Sequence, residues 1–85
     1  MASDQDQAFM RQAIQLMRNA GVVNKTGGPF GAVIVKEGQV IAAAGNSVIQ
    51  YNDPSALAEV NAIRQACRTI DNWDLSECVM YSSCE

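Results

Sequence analysis

The sequence predicts one small α/β domain in which helices cover a mixed β-sheet. The chain has 85 residues, 48% of them hydrophobic and 18% charged, which suits a single globular domain. Its hydrophobic periodicity changes along the chain in the order helix, strand, strand, helix, strand. A strand–helix–strand unit beside a hairpin places helices against a mixed sheet.

The first helix is predicted over residues 4–20. Ser3 and Asp6 have the spacing of a capping box, with Asp in place of the usual Glu. Gly21 is expected to end the helix. Apolar residues recur between these signals at helical spacing: Phe9, Ala13, Leu16 and Ala20.

Two strands joined by a tight turn are predicted next. Residues 30–35 form a short, nearly continuous apolar run rich in β-branched side chains, which favours a buried strand. Glu37 and Gly38 supply the turn, and residues 40–45 return as the second strand. The pair should form an antiparallel hairpin.

A second helix is expected to begin at Asp53 and Pro54, with Asp as the N-cap and Pro in the first helical position. Residues 78–81 are predicted to be a third strand. The apolar residues of the second helix recur every three or four positions: Ala56, Val60, Ile63, Cys67 and Ile70.

Charge and cysteine content restrict the class of protein. The net charge of −3 and the absence of a cluster among the six Lys and Arg residues disfavour a nonspecific nucleic-acid binder. Three cysteines without a closely spaced pair are typical of free thiols in a reducing compartment, so we expect a cytoplasmic protein. The polar N-terminus lacks the features of a secretory signal, and no apolar stretch is long enough to span a bilayer.

Four residues are candidates for chemistry, and each has an ordinary structural explanation. Glu59 lies about 50° from the centre of the predicted apolar stripe, so it either extends from the first turn into water or lies in a pocket where it moves protons. Asn46 follows a strand, where it serves a turn or contacts the edge of a base. Phe30 is a core residue or a stacking wall for a flat ring. Leu57 taken alone is an apolar residue beside a buried helix.

Several blocks in the same order along the chain resemble the cytidine-deaminase-like superfamily. Bacterial guanine deaminases are the most similar branch, followed by tRNA adenosine deaminases and fungal-type cytosine deaminases. The resemblance implies a three-layer α/β/α sandwich around a five-stranded mixed sheet, of which residues 1–85 would be the N-terminal part of a single domain. The matching blocks are residues 27–35, Asn46, residues 52–56, 58–60, 62–64 and 81–85.

This resemblance implies roles for individual residues. Glu59 matches the family's proton shuttle, and Asn46, Phe30 and the backbone around Ala58 match positions that contact the base. The family's His-x-Glu triplet reads Leu57-Ala58-Glu59 here, and the chain contains no histidine. A leucine cannot ligate a metal.

The family's other two zinc ligands come from a Pro-Cys-x-x-Cys motif that the 85 residues do not contain. Cys84 and Glu85 match the residues just before that motif, so Cys84 is not a matched ligand. The resemblance therefore implies zinc in intact relatives and none bound by this chain. Without zinc to lower the pKa of water, Glu59 alone would not make a hydroxide nucleophile.

Two functional hypotheses remain open at this point. The chain is either part of a zinc-dependent hydrolytic deaminase of guanine or a similar base, inactive as given, or a non-catalytic pseudoenzyme or dimerisation module. Adenosine in tRNA and cytosine are the alternative substrates. In both cases the third strand would be an open sheet edge, which predicts self-association, such as a homodimer.

Overall fold

The computed structural model describes residues 3–23, 25 and 27–84, which form three layers. Helix α1 packs on one face of a three-stranded sheet and helix α3 packs on the other, as the α/β/α prediction requires. Glu85 lies outside the described residues. The elements are α1 (Asp4–Arg18), a π-helical turn (Asn19–Val23), β1 (Phe30–Lys36), β2 (Gln39–Gly45), α2 (Val48–Tyr51), α3 (Ala58–Ile70) and β3 (Cys78–Cys84).

The strand order of the sheet is β2-β1-β3, and both neighbouring pairs are antiparallel. Strands β2 and β3 therefore run in the same direction, as expected for a strand–helix–strand unit. They do not pair with each other, because β1 lies between them. For this reason the three described strands form an antiparallel sheet, whereas the sequence suggested a mixed one.

Each face of β1 contributes to a separate hydrophobic core. On the α1 face, Ala13 packs with Val33 and Val35. The core on the α3 face is made largely of small side chains, which let the helix lie close to the sheet. Its buried members are Ala32, Ile34, Ala42, Ala58, Ala62 and Ala66.

Helix α1 begins where the sequence predicts. The Ser3 hydroxyl oxygen accepts from the Asp6 N–H at 3.0 Å, and the Asp6 carboxylate accepts from the Ser3 N–H at 3.4 Å, which completes the capping box. The α-helix ends at Arg18, earlier than predicted, and Gly21 lies inside the π-helical turn instead of ending the helix. A Cβ at Gly21 would lie 2.8 Å from Pro29 Cβ, so this glycine permits a close contact.

The predicted hairpin is confirmed. Glu37 and Gly38 both have positive φ, at 51° and 75°, as the tight turn between β1 and β2 requires. The register skips one residue of β2, because Ile34 pairs with Ala42 whereas Val35 pairs with Val40. This bulge increases the local twist of the hairpin.

The start of the second long helix differs from the prediction. Helix α3 begins at Ala58 with Leu57 as its N-cap, four residues later than expected. Asp53 instead closes a turn, since its Oδ1 accepts from the Ser55 N–H at 2.9 Å and from the Ser55 hydroxyl at 2.7 Å. The sequence pattern also missed the four-residue helix α2.

The buried face of α3 also differs from the predicted stripe. Ala58, Ala62 and Ala66 are 0% exposed, whereas Ile63 from the predicted stripe is 40% exposed. Both sets recur at helical spacing, so periodicity alone does not distinguish them. The alanine face lies on the sheet because its small methyl groups let the helix and the sheet pack closer together. Among the described helices, none has the length and apolarity needed to cross a membrane.

Candidate functional site

Phe30 and Asn46 are neighbours at one end of the β1–β2 hairpin. The Asn46 N–H donates to the Phe30 carbonyl oxygen at 3.2 Å, which extends the strand contact one residue past β2. Gly27 packs against Asn46 and has no room for a side chain, since a Cβ there would overlap Asn46 Oδ1. The structure thus brings together two of the predicted base contacts.

The Asn46 side chain performs the turn role that its position suggested. It is 4% exposed, and its Oδ1 accepts from the Val48 N–H at 3.0 Å. This bond holds the amide in one orientation at the start of α2. Contact with a base stays a prediction. Asn46 also lines a groove of about 220 Å³ with Leu16, Asn19, Ala20, Gly45, Ser47 and Gln50.

Phe30 is half-buried and packs against the core on the α3 face, the same core that contains Ala58. Ala58 itself is fully buried in the first turn of α3. Packing in this hydrophobic core is therefore enough to explain the positions of Phe30 and Ala58. A stacking role for the Phe30 ring and a backbone contact at Ala58 stay predictions.

Leu57 and Glu59 lie on either side of Ala58 and are both exposed. Leu57 has an extended backbone at φ −75° and ψ 153°, and its side chain makes no capping hydrogen bond. Glu59 is the acidic residue of the first helical turn, where the backbone dipole favours a negative charge.

Glu59 is exposed in the described part of the chain, and a pocket around it stays a prediction. Ala62, at the centre of the buried face, is three residues after Glu59, which places the two about 60° apart on the helix. Glu59 therefore borders the buried face without entering it. The sequence prediction took the Val60–Ile63 side of the helix as buried, and its placement of Glu59 relied on that face.

A residue that the sequence analysis missed organises this end of the molecule. The Asn61 amide nitrogen lies within hydrogen-bond distance of three oxygens: Gly45 O at 3.0 Å, Ser47 Oγ at 2.9 Å and Ala56 O at 3.2 Å. It connects the end of β2 to the segment that enters α3. Asn61 thereby positions the backbone on both sides of the candidate site.

Gln65, one helical turn after Asn61, has a similar role. Its Oε1 accepts from the Ala43 N–H of β2 at 2.6 Å. Asn61 and Gln65 are spaced by four residues beside the Ala58–Ala62–Ala66 face. Had that alanine face been recognised as buried, the two amides on its shoulder would have been identifiable as partners of β2.

The donor set of the described residues does not fit a zinc ion. Nowhere in residues 3–23, 25 and 27–84 do three His, Cys, Asp or Glu side chains converge as metal ligands. The half-buried Cys67 thiol has the Trp73 carbonyl oxygen at 3.9 Å as its partner. Leu57 occupies the position where the resemblance places a histidine and offers no donor atom.

The carboxyl groups with shifted pKa values lie outside the candidate site. A hydrogen bond from the Tyr81 hydroxyl, followed by those from Ser3, lowers the pKa of Asp6. The Ser55 hydroxyl and N–H lower the pKa of Asp53, with a smaller effect of the Arg64 charge. These shifts follow from local hydrogen bonds and indicate turns and caps rather than catalysis.

The sequence matches the family model of the cytidine and deoxycytidylate deaminase zinc-binding region over residues 3–85. The chain therefore belongs to this deaminase family. Bacillus subtilis guanine deaminase is 48% identical over 82 residues, which cover 93% of this chain and 50% of that protein. The tRNA-specific adenosine deaminase of Aquifex aeolicus is 47% identical over 57 residues, covering 67% of this chain and 38% of the relative.

Solved structures agree with the sequence comparisons. The crystal structure of Bacillus subtilis guanine deaminase superposes with a TM-score of 0.86 at 47% identity, covering 93% of this chain and 50% of that one. A tRNA:A34 deaminase structure gives a TM-score of 0.84 at 36% identity, covering 91% and 58%. The chain thus spans about half the length of the guanine deaminase it resembles.

Proposed function

We propose that this chain is the N-terminal part of a zinc-dependent nucleobase deaminase domain and that it has no deaminase activity by itself. The observation that carries this proposal is a second, uncovered apolar face on α3, next to the β3 edge of the sheet. A complete domain would cover both surfaces. Family membership and the half-length match to guanine deaminase support the same interpretation.

The outer apolar face consists of Ile63 of α3 and Met80 of β3, which are 40% and 38% exposed. Full burial of a large apolar side chain is worth about 1.5–3 kcal/mol, so covering the exposed two-fifths of each of these is worth about 0.6–1.2 kcal/mol and favours a partner segment. It continues into a shallow groove of about 200 Å³ lined by Ile34, Ile63, Leu75, Cys78 and Met80.

The outer strand β3 strengthens this argument. Within the described chain β3 pairs with β1 on one side only, so backbone donors and acceptors face outward on the other. Unpaired strand edges attract further strands. A following strand paired to β3 and a helix in the adjoining groove would satisfy the open edge and the outer apolar face together.

The proposed substrate is guanine, with adenosine in tRNA and cytosine as alternatives. The similarity to guanine deaminases supports the choice. In this proposal Phe30, Asn46 and the backbone at Ala58 hold the flat base, and Glu59 moves the proton during hydrolysis to the oxo product and ammonia. Asn46 suits recognition because its amide is held by the Val48 N–H and therefore presents a fixed pattern to a ligand.

The donor set supports the proposed lack of activity. The described residues supply no metal ligands in convergent positions, and Leu57 replaces the one that the first half of the family's site would provide. A carboxylate such as Glu59 can transfer a proton, but hydrolysis also needs an activated water. We therefore assign no hydrolytic step to this chain alone.

A chimera tests this proposal. The C-terminal half of Bacillus subtilis guanine deaminase is joined after residue 85, once with Leu57 retained and once with Leu57→His. We expect the Leu57→His chimera to bind one zinc per chain and to deaminate guanine, whereas the Leu57 chimera binds zinc weakly and is inactive. Glu59→Gln in the His background should keep the zinc and lose the activity.

Two results would contradict the proposal. A zinc-loaded Leu57→His chimera that leaves guanine, adenosine and cytosine unchanged would contradict the deaminase assignment. Stoichiometric zinc and guanine turnover by the Leu57 chimera would contradict the claim of inactivity. Metal content is measured by atomic spectroscopy, and turnover by ammonia release.

The outer apolar face also favours a second candidate function, a non-catalytic module that pairs with another copy of itself. Pairing of two β3 edges would bury this face in a homodimer. Light scattering over a range of concentrations tests the idea, with Ile63→Gln as the variant that weakens the contact. A stable monomer at all concentrations would argue against it.

A further inference from the structure

We propose that a groove beside β2 binds the phosphate group of a mononucleotide. The arginine groove, as we name it, lies between α3 and α2 and has a volume of about 390 Å³. This volume is in the range of small-molecule sites. The residues that line it include Gln50, Tyr51, Asn61, Arg64, Gln65 and Arg68.

Arg64 and Arg68 provide the positive charge of the groove. They are four residues apart on α3, which places their Cβ atoms about 5–6 Å apart on the same helix face. Both are exposed, and neither has a hydrogen bond or an ion pair with any residue in the described part of the chain. Two adjacent guanidinium groups can share one phosphate, because each presents a planar fork of N–H donors.

The floor of the groove is already satisfied by internal hydrogen bonds. Asn61 bonds the end of β2 and Ser47, and Gln65 bonds Ala43. The floor is therefore rigid, and the ligand-directed groups are those on the rim. A rim of exposed arginines above a fixed floor is suited to binding an anion without rearrangement.

Tyr51 extends the argument from a phosphate to a nucleotide. Its side chain is 67% exposed at the C-terminal end of α2, and it lines the same groove as the two arginines. An exposed aromatic ring next to a phosphate position offers a surface on which a base can stack. Gln50, also exposed on the rim, adds an amide that can donate or accept.

The charged groups near the groove leave its two arginines available to an anion. Asp53 is the acidic group that interacts electrostatically with Arg64, but its carboxylate is hydrogen-bonded to Ser55 and not to the guanidinium. Arg68 is in the last turn of α3, where a positive charge also stabilises the helix. That effect does not account for Arg64. The net charge of −3 favours a mononucleotide over RNA, whose many phosphates would meet acidic surface elsewhere.

NMR titration of the purified chain at low salt tests the proposal, with three separate probes: inorganic phosphate, a nucleoside 5′-monophosphate and the same nucleoside without its phosphate. We expect saturable binding of the monophosphate, weaker binding of phosphate and none of the nucleoside. Arg64→Gln and Arg68→Gln should each weaken the monophosphate at least about tenfold, the effect of losing a charge-assisted hydrogen bond.

The chain offers a matched control. Arg11 and Arg18 are exposed on α1, on the other face of the sheet, and changing both to Gln alters the net charge by the same amount as the double change in the groove. We expect this control to bind the monophosphate normally. Arg64→Lys keeps the positive charge but lacks the planar fork of N–H donors. Its affinity should therefore lie between those of Arg64→Gln and the unchanged chain.

The proposal is overturned if no saturable binding occurs, or if the Arg11/Arg18 control loses as much affinity as the groove variants. Equal affinity for phosphate and the monophosphate, unchanged by Tyr51→Ala, would refute the stacking part. A short single-stranded RNA that binds more tightly than the monophosphate would refute the choice of a mononucleotide. None of these readouts depends on deaminase activity, so they are independent of the function proposed above.

Discussion

Asn61→Ala tests whether one amide connects the two halves of the candidate site. The Asn61 nitrogen faces Gly45 O, Ser47 Oγ and Ala56 O at 2.9–3.2 Å. An amide has only two N–H groups, so the three contacts amount to at most two full hydrogen bonds. At about 0.5–1.5 kcal/mol for each bond, the lost stability is about 1–3 kcal/mol.

The gain in helix propensity from Asn to Ala offsets about 0.5 kcal/mol of this loss. We therefore expect the free energy of unfolding, measured by urea denaturation with circular dichroism, to fall by about 0.5–2.5 kcal/mol. In addition, the Ser47 N–H, which donates to Ala56 O at 2.9 Å, should exchange faster with solvent. The exchange rate reports local opening separately from global stability.

Two further variants make the reasoning refutable. Gln12→Ala removes an exposed amide from α1 and should change the stability by less than about 0.5 kcal/mol. Asn61→Asp keeps the shape but has no N–H to donate, so at neutral pH it should destabilise at least as much as Asn61→Ala. If Asn61→Ala resembles the Gln12 control, or if Asn61→Asp is harmless, the amide does not hold this end of the molecule.

Three other predictions follow from specific contacts. Gln65→Ala should cost about 1 kcal/mol and expose the Ala43 amide to exchange, because its hydrogen bond at 2.6 Å is lost; hydrogen-exchange NMR would show no change at Ala43 if this is wrong. Ala62→Leu should cost about 1–3 kcal/mol in urea unfolding, since a fully buried methyl leaves no room for a larger side chain, and an unchanged midpoint would contradict the close packing of α3 on the sheet. The Tyr81 hydroxyl lowers the pKa of Asp6, so this contact stabilises the fold above the ordinary Asp pKa of 3.8, and the stabilisation is lost as pH falls through the lowered value. Tyr81→Phe should therefore flatten the acid limb of a stability-versus-pH curve, and identical limbs would exclude the coupling.

On the alkaline side, the stabilisation from the same contact falls as pH rises, the reverse of its dependence at acid pH. The hydrogen bond to Asp6 raises the pKa of Tyr81 above its ordinary value of 10.0. Its stabilisation is therefore complete below the ordinary pKa and is lost as pH rises through the raised one. The contact connects the first turn of α1 to β3, two elements that are distant in sequence.

Local signals in the sequence predicted those elements whose causes are local. The capping box at Ser3 and Asp6 needs only residues three apart, and the turn at Glu37 and Gly38 needs only a backbone that tolerates positive φ. The strand β1 is apolar on both faces and has helices on both, as a continuous apolar run predicts. The family blocks then identified the deaminase fold, which the comparisons confirmed.

The candidate site was only partly accessible to sequence reasoning. Phe30 and Asn46 were both predicted as base contacts. They are neighbours because Phe30 begins β1 and Asn46 follows the last residue of β2, at the same end of the hairpin. The buried side of α3 was assigned to the wrong stripe, so Glu59 is exposed in the described chain and its place in a pocket stays a prediction. Asp53 was likewise assigned to a helix cap, although its contacts with Ser55 close a turn.

By itself the sequence determined the order of the two long helices and three strands, the capping box of α1, the turn between β1 and β2, the absence of a histidine ligand and the family. Only the tertiary structure decided which face of α3 lies on the sheet, and therefore that Asn61 and Gln65 reach β2 whereas Ile63 and Glu59 do not enter the core. The physical reason is the distance between the helix backbone and the sheet. Two apolar stripes have the same helical period, and the sheet selects the one whose small side chains let the backbones approach most closely.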